Sequence, residues 1–168
     1  AKELGELIEQ RHKGRSNQTY ICNRRANIRK ACIDLLISCY LKRIGGRDVV
    51  DKETILTARK IGISTQSLNH LFQKQDNGTM TAMKPHFITV DESENSLIDV
   101  HNLSNRDEEY LKLLLAETET ALFMDSDMGN HTYNLANYIN KESHYRRVLI
   151  ENTYSHLLGA DCYLHQKE

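Results

Sequence analysis

At 168 residues, 39% of them hydrophobic, 27% charged and one of them proline, the chain has the size and composition to bury a core without disulfide or metal support, and nothing in it is low-complexity or repetitive. Its longest apolar run, 31–41, is interrupted by Asp34, Ser38 and Cys39, well short of the roughly twenty apolar residues a bilayer requires, and the first residues lack a secretory core segment, so a cytoplasmic protein is expected. The net charge of −1 hides a division: residues 11–75 carry +10, residues 76–168 carry −9 and the first ten carry −2.

In chain order, Leu4, Leu7 and Ile8 at helical spacing predict a short amphipathic helix over 1–12, ended by Gly14. Ile28, Cys32, Leu35, Leu36 and Cys39 predict a longer helix over 26–44, stopped by Gly45-Gly46. Asp51 or Lys52 starts the next, with Ile55, Leu56 and Ile61 inside and Gly62 as the turn residue. Ser64 then caps a helix over 65–73 that buries Leu68, Leu71 and Phe72. Beyond Pro85, 87–90 and 97–100 read as two short strands of a small hairpin. A helix over 105–124 follows, and another over 131–158 with Leu135, Tyr138, Ile139, Tyr145, Val148, Leu149 and Leu157 on its apolar face. The expected fold is mainly α: a basic helix-turn-helix region over 1–80, an acidic helical hairpin over 81–168, and one small β-hairpin.

A local excess of ten positive charges attracts a polyanion, so nucleic acid is the expected partner of the first half. The run ILTARKIGISTQSLNHLFQKQ, 55–75, supplies the means. Ala58 is small enough for two helices to approach, Gly62 permits the turn, Ile63 covers the core, and Leu68 and Leu71 bury the second helix. This stretch resembles the helix-turn-helix of the Fis type, found in Fis and in NtrC-like activators. It is also similar to that of the TetR-family repressors, which share the glycine-hydrophobic-serine turn and the positions of Leu68, His70 and Phe72. Either resemblance implies a sequence-specific regulator of transcription that binds double-stranded DNA.

On that reading Ser64, Thr65, Gln66, Ser67, Asn69, His70 and Gln73 face the bases of a major groove and adjoining phosphates. Arg59, Lys60 and Lys74 flank them on the backbone, and Arg24, Arg25, Arg29 and Lys30 form a second backbone-tracking cluster. The acidic helices would make a homodimer or hold a protein partner. Two rival readings are a small-terminase-like or plasmid-maintenance DNA-binding oligomer, and a protein-interaction module that touches no nucleic acid.

No enzyme is expected, because no nucleophile elbow, glycine-rich phosphate loop or H-E-x-x-H is present. No metal or other cofactor is expected either. The DSDMGN stretch at 125–130 has Ala136 where a calcium loop needs glutamate, and Cys162 with His165 has no second ligand pair. Cys22, Cys32, Cys39 and Cys162 form no C-x-x-C and read as reduced thiols.

Overall fold

The computed structural model of the protein describes residues 2–74, 80–103, 105–126, 128–143, 149–152 and 162–165. Three of its segments, TYIC, KIGIS and FITV, are short apolar runs rich in β-branched residues, and these build the centre of a parallel sheet. They are β1 (Gln18–Cys22), β5 (Lys60–Ser64) and β8 (Phe87–Asp91). β2 (Ser38–Cys39) and β9 (Thr120–Met124) flank them in the order β2-β5-β1-β8-β9. Every pairing is parallel, with Tyr20 opposite Gly62 and Thr89, and Val90 opposite Phe123. Side chains pointing to both faces are buried: Ile21 and Ile63 on one, Tyr20 on the other. Burial on both faces is the condition under which a strand reads as a continuous apolar run, without alternation.

This α/β architecture overturns the mainly-α expectation. α1 (Lys2–Arg11) and β8 agree with the sequence reading, and the other elements depart from it in ways the packing explains. α2 (Arg25–Leu35) stops early because Leu36 takes a left-handed conformation (φ 56°) whose N–H caps the carbonyls of Cys32 and Ile33, and the chain then turns into β2. Gly45 and Gly46 end no helix. Both have positive φ and form the tight turn between β3 (Leu41–Ile44) and β4 (Arg47–Val50), an antiparallel hairpin.

α3 (Lys52–Thr57) is capped by Asp51, whose carboxylate accepts from the Thr54 N–H at 3.2 Å, but it ends at Ala58. Gly62, expected at a helix corner, lies inside β5, where α2 crosses so closely that a Cβ would stand 2.4 Å from Cys32 Sγ. A 3-10 helix (Thr65–Leu71) replaces the expected α-helix over 65–73 and leads into β6 (Phe72–Lys74), which pairs with β7 (Met80–Ala82). The two helices of a helix-turn-helix are therefore not both formed in 55–75.

Beyond β8, the expected strand at 97–100 belongs to α4 (Ser93–Leu103). The helix expected over 105–124 divides into α5 (Asn105–Ala116) and the edge strand β9. α6 (Asn130–Ser143) covers the first part of the helix expected over 131–158; β10 (Leu149–Asn152) follows and pairs with β11 (Cys162–His165), while 144–148 and 153–158 lie outside the described residues. Strands from both sides of residue 80 share one sheet, since β1 pairs with β8. The core gathers around Ile21, Ile61, Ile63, Leu68, Ile88, Leu111, Leu114 and Leu115, all nearly inaccessible to solvent. Among the described residues no helix is long and apolar enough to cross a membrane.

Candidate functional site

The path of the chain through the sheet singles out one location. From the central β1 it moves outward to β2, returns to β5, and then crosses to β8 and β9 on the other side. The connections after β1 and β8, which are neighbours, therefore depart in opposite directions and leave a crevice at the carboxyl ends of these strands. In open parallel sheets this switch point is where ligands bind.

The residues there are Asn23, Arg24 and Arg25 after β1, and Asp91, Glu92 and Ser93 at the end of β8. Arg24 and Arg25 are exposed, and neither enters a salt bridge among the described residues. Arg24 also stands at the N-cap of α2 and makes no side-chain cap there, so the positive dipole end of the helix lies beside two guanidinium groups. Across the crevice, the Asp91 carboxylate accepts from the Tyr20 hydroxyl and, at 3.0 Å, from the Glu92 N–H. Burial, reinforced by this carboxylate, pushes the Tyr20 hydroxyl well above its ordinary pKa, so it stays a donor.

Glu92 has a left-handed backbone (φ 46°), a conformation that costs a residue with a side chain about 1–2 kcal/mol. Its carboxylate accepts from Asn27 Nδ2 of α2 at 3.3 Å, linking the two sides of the crevice. Strain of this kind persists where surroundings hold it, and it clusters at functional sites.

A second carboxylate ties the next loop to this one. Glu94 accepts from the N–H groups of His131 and Thr132 (both 3.1 Å), from His131 Nδ1 (2.6 Å) and from the Thr132 hydroxyl (3.0 Å), thereby capping the first turn of α6. Burial pushes its pKa up, but these four hydrogen bonds outweigh burial and hold it at about 2. A Cβ on Gly129 would meet the Glu94 carboxylate at 2.6 Å, so any side chain there must displace the carboxylate from its four hydrogen bonds. The Glu94 N–H in turn donates to Asp125 at 2.8 Å, and Ser93 and Thr132 share a buried hydroxyl contact at 3.1 Å. The loops after β8 and β9 are thus one hydrogen-bonded unit.

No protein-family model matches this sequence, and neither does any curated protein.

The residues expected to read DNA do not share a surface. Ser64, Thr65 and Ser67 are buried: the Ser64 and Ser67 hydroxyls join the Tyr40 hydroxyl in a closed network, and the Thr65 hydroxyl has no partner among the described residues. Gln66 and Asn69 are exposed on the 3-10 helix. Arg59 and Lys60 stand at the amino end of β5, roughly 13 Å from the carboxyl edge by strand rise. There Lys60 pairs with Glu9 at 2.9 Å, and Arg59 donates to the Gly14 carbonyl at 3.2 Å. Arg59, His70 and Gln73 line a cavity of about 390 Å³ with Ile55, Leu56 and Met83. His70 is half-buried there, and desolvation, helped by Lys52, lowers its pKa. Lys74 lies on β6. Arg29 is held by Asp48, and Lys30 is exposed on α2.

Sequence reasoning therefore placed Arg24 and Arg25 in a binding role but missed Tyr20, Asn27, Asp91, Glu92 and Glu94. The signal was present in FITVDE, an apolar strand ending directly in two acids, but those acids were read as hairpin loop.

Proposed function

We propose that this chain binds nucleic acid by its phosphates along the carboxyl edge of the parallel sheet, with Arg24 and Arg25 as the leading contacts. The observation that carries the reading is the pair of exposed guanidinium groups at the α2 N-terminus, without an ion pair among the described residues, beside the switch point of the sheet. Residues 24–50 hold seven basic and two acidic residues, so the charge favouring a polyanion is concentrated on this part of the molecule. Sequence-specific regulation through 65–73 lacks the two α-helices of a helix-turn-helix, and Thr65, Ser67 and Leu68 of its 3-10 helix are buried.

Asp91 and the strained Glu92 favour a second use of the same edge. Two carboxylates repel a bare phosphate, but a magnesium ion takes one or two protein carboxylates and fills its remaining positions with water and phosphate oxygens.

The test is fluorescence anisotropy of a short labelled DNA duplex across a potassium chloride series. Arg24→Ala with Arg25→Ala should weaken binding about tenfold or more at moderate salt and lower the slope of log affinity against log salt by about 2. Unchanged affinity and slope in that double variant would remove the basis of the reading. Asp91→Asn separates the second use: it should abolish only the part of DNA binding that requires magnesium.

A further inference from the structure

The β3–β4 hairpin has no neighbour in the main sheet and is exposed along nearly its whole length. Its base is nevertheless firmly held. The buried Tyr40 donates its N–H to the Gly62 carbonyl at 3.2 Å and shares a 2.7 Å hydroxyl contact with Ser64 at the carboxyl end of β5. The Asp51 N–H then closes the hairpin onto the Tyr40 carbonyl at 2.8 Å. Leu41 is buried beside these contacts.

The pairing register sorts the side chains by face. Leu41, Arg43, Asp48 and Val50 share one face, which turns toward α2: Arg29 pairs with Asp48 there, and Arg29 together with the charges of Arg43 and Arg25 lowers the Asp48 pKa. Lys42, Ile44, Arg47 and Val49 share the opposite face and point into solvent. Lys42 and Arg47 enter no salt bridge among the described residues, and Ile44 and Val49 are 57% and 46% exposed. A fixed base, two unpaired cations and two uncovered aliphatic side chains on one outward face describe an element built for contact.

We propose that this hairpin enters the major groove of duplex DNA, with Lys42 and Arg47 on the flanking phosphates or base edges and Ile44 and Val49 against apolar groups in the groove. The proposal rests on the nucleic-acid reading above. The dimensions agree: two strands about 4.8 Å apart with their side chains fit a groove about 12 Å wide, and a four-residue ribbon of roughly 13 Å reaches its floor. Charge agrees as well, because Asp48, the only acid of the hairpin, is neutralised by Arg29, leaving the outward face wholly positive. The hairpin leaves the sheet beside the carboxyl end of β5, the same edge of the sheet at which Arg24 and Arg25 follow β1.

The experiment measures anisotropy of labelled duplex DNA, the matching single strand, and anionic phosphatidylserine vesicles, using the full chain and four variants. Lys42→Ala with Arg47→Ala should weaken duplex binding about tenfold and lower the salt slope by about 2, and Ile44→Ser should weaken it about threefold with the slope unchanged. Arg15→Ala with Lys84→Ala, which removes equal charge elsewhere, should do neither. Far-UV circular dichroism confirms that the variants fold; all seven substituted side chains are exposed. If the hairpin variants match wild type while Arg24→Ala with Arg25→Ala loses binding, the hairpin proposal is overturned and the function reading stands. If wild type binds no duplex, both fall. A hairpin effect seen only on the single strand or only on vesicles also overturns groove entry.

Discussion

Replacing Glu94 with glutamine isolates the contact that joins the two acidic loops of the carboxyl edge. The carboxylate accepts four hydrogen bonds from His131 and Thr132, and its pKa of about 2 lies well below the ordinary 4.5. At 1.36 kcal/mol per unit, that separation corresponds to about 3 kcal/mol of stabilisation by the charged form. The side chain is 18% exposed and His131 is half exposed, so solvent screening brings the expected loss in Glu94→Gln to about 2 kcal/mol at neutral pH. Because the folded pKa is depressed, this contribution is complete above the unfolded value near 4.5 and disappears as pH falls toward 2. Urea unfolding of wild type and Glu94→Gln at a series of pH values should therefore show a gap that is constant near neutrality and has shrunk by more than half at about pH 3. Equal stability at neutral pH, or a gap that persists undiminished in acid, would refute the charge-based account of this junction. Gly129→Ala, which drives a methyl group into the same carboxylate, should cost about 1–3 kcal/mol in wild type and less in the Glu94→Gln background, since the two sites share one contact.

Two further outcomes test other parts of the structure. Gly62→Ala places a methyl group 2.4 Å from Cys32 Sγ and should destabilise the protein by about 1–3 kcal/mol, with part of the loss recovered by Cys32→Ala; a Gly62→Ala protein as stable as wild type would mean that α2 does not approach β5 this closely. The Cys32 thiol donates to the Ser38 carbonyl at 3.5 Å, and its side chain, next to Cys39, holds the Cys39 pKa below that of a free thiol against the opposing effect of burial. Peptide-mapped alkylation with iodoacetamide should accordingly label Cys39 at lower pH than an ordinary cysteine, and Cys32→Ala should move its profile upward. An identical profile in the two proteins would dissociate Cys39 from its neighbour.

The parts of the fold visible in the chain are those decided locally. α1 follows from its amphipathic spacing, the start of α3 from Asp51 as a cap, and β8 from a β-branched run before two acids. The failures share a cause. TYIC, KIGIS and TALFM are four or five residues long, and at that length a strand buried on both faces has the same apolar content as one turn and a half of buried helix. Ile61-Gly62-Ile63 therefore read as a helical corner, with the glycine assigned to a turn. Its real role is to admit Cys32 across a strand, a constraint imposed by a residue thirty positions earlier. The candidate site followed the same pattern. Arg24 and Arg25 announce a polyanion by charge alone, whereas Asp91 and Glu92 gain meaning only once β8 is known to lie beside β1.

By itself the sequence determined a folded chain whose positive charge lies in its first half, and the local starts of several elements. These depend on composition and on neighbours within a few positions. The tertiary structure alone decided that the chain is a parallel α/β sheet, that β1 and β8 adjoin although about seventy residues apart, and that the segment after β1, with Arg24, emerges beside Asp91 and Glu92. The physical reason is that parallel pairing joins strands through long crossovers, so partner and register are chosen by burial of the whole sheet, a free energy that no short window of sequence contains.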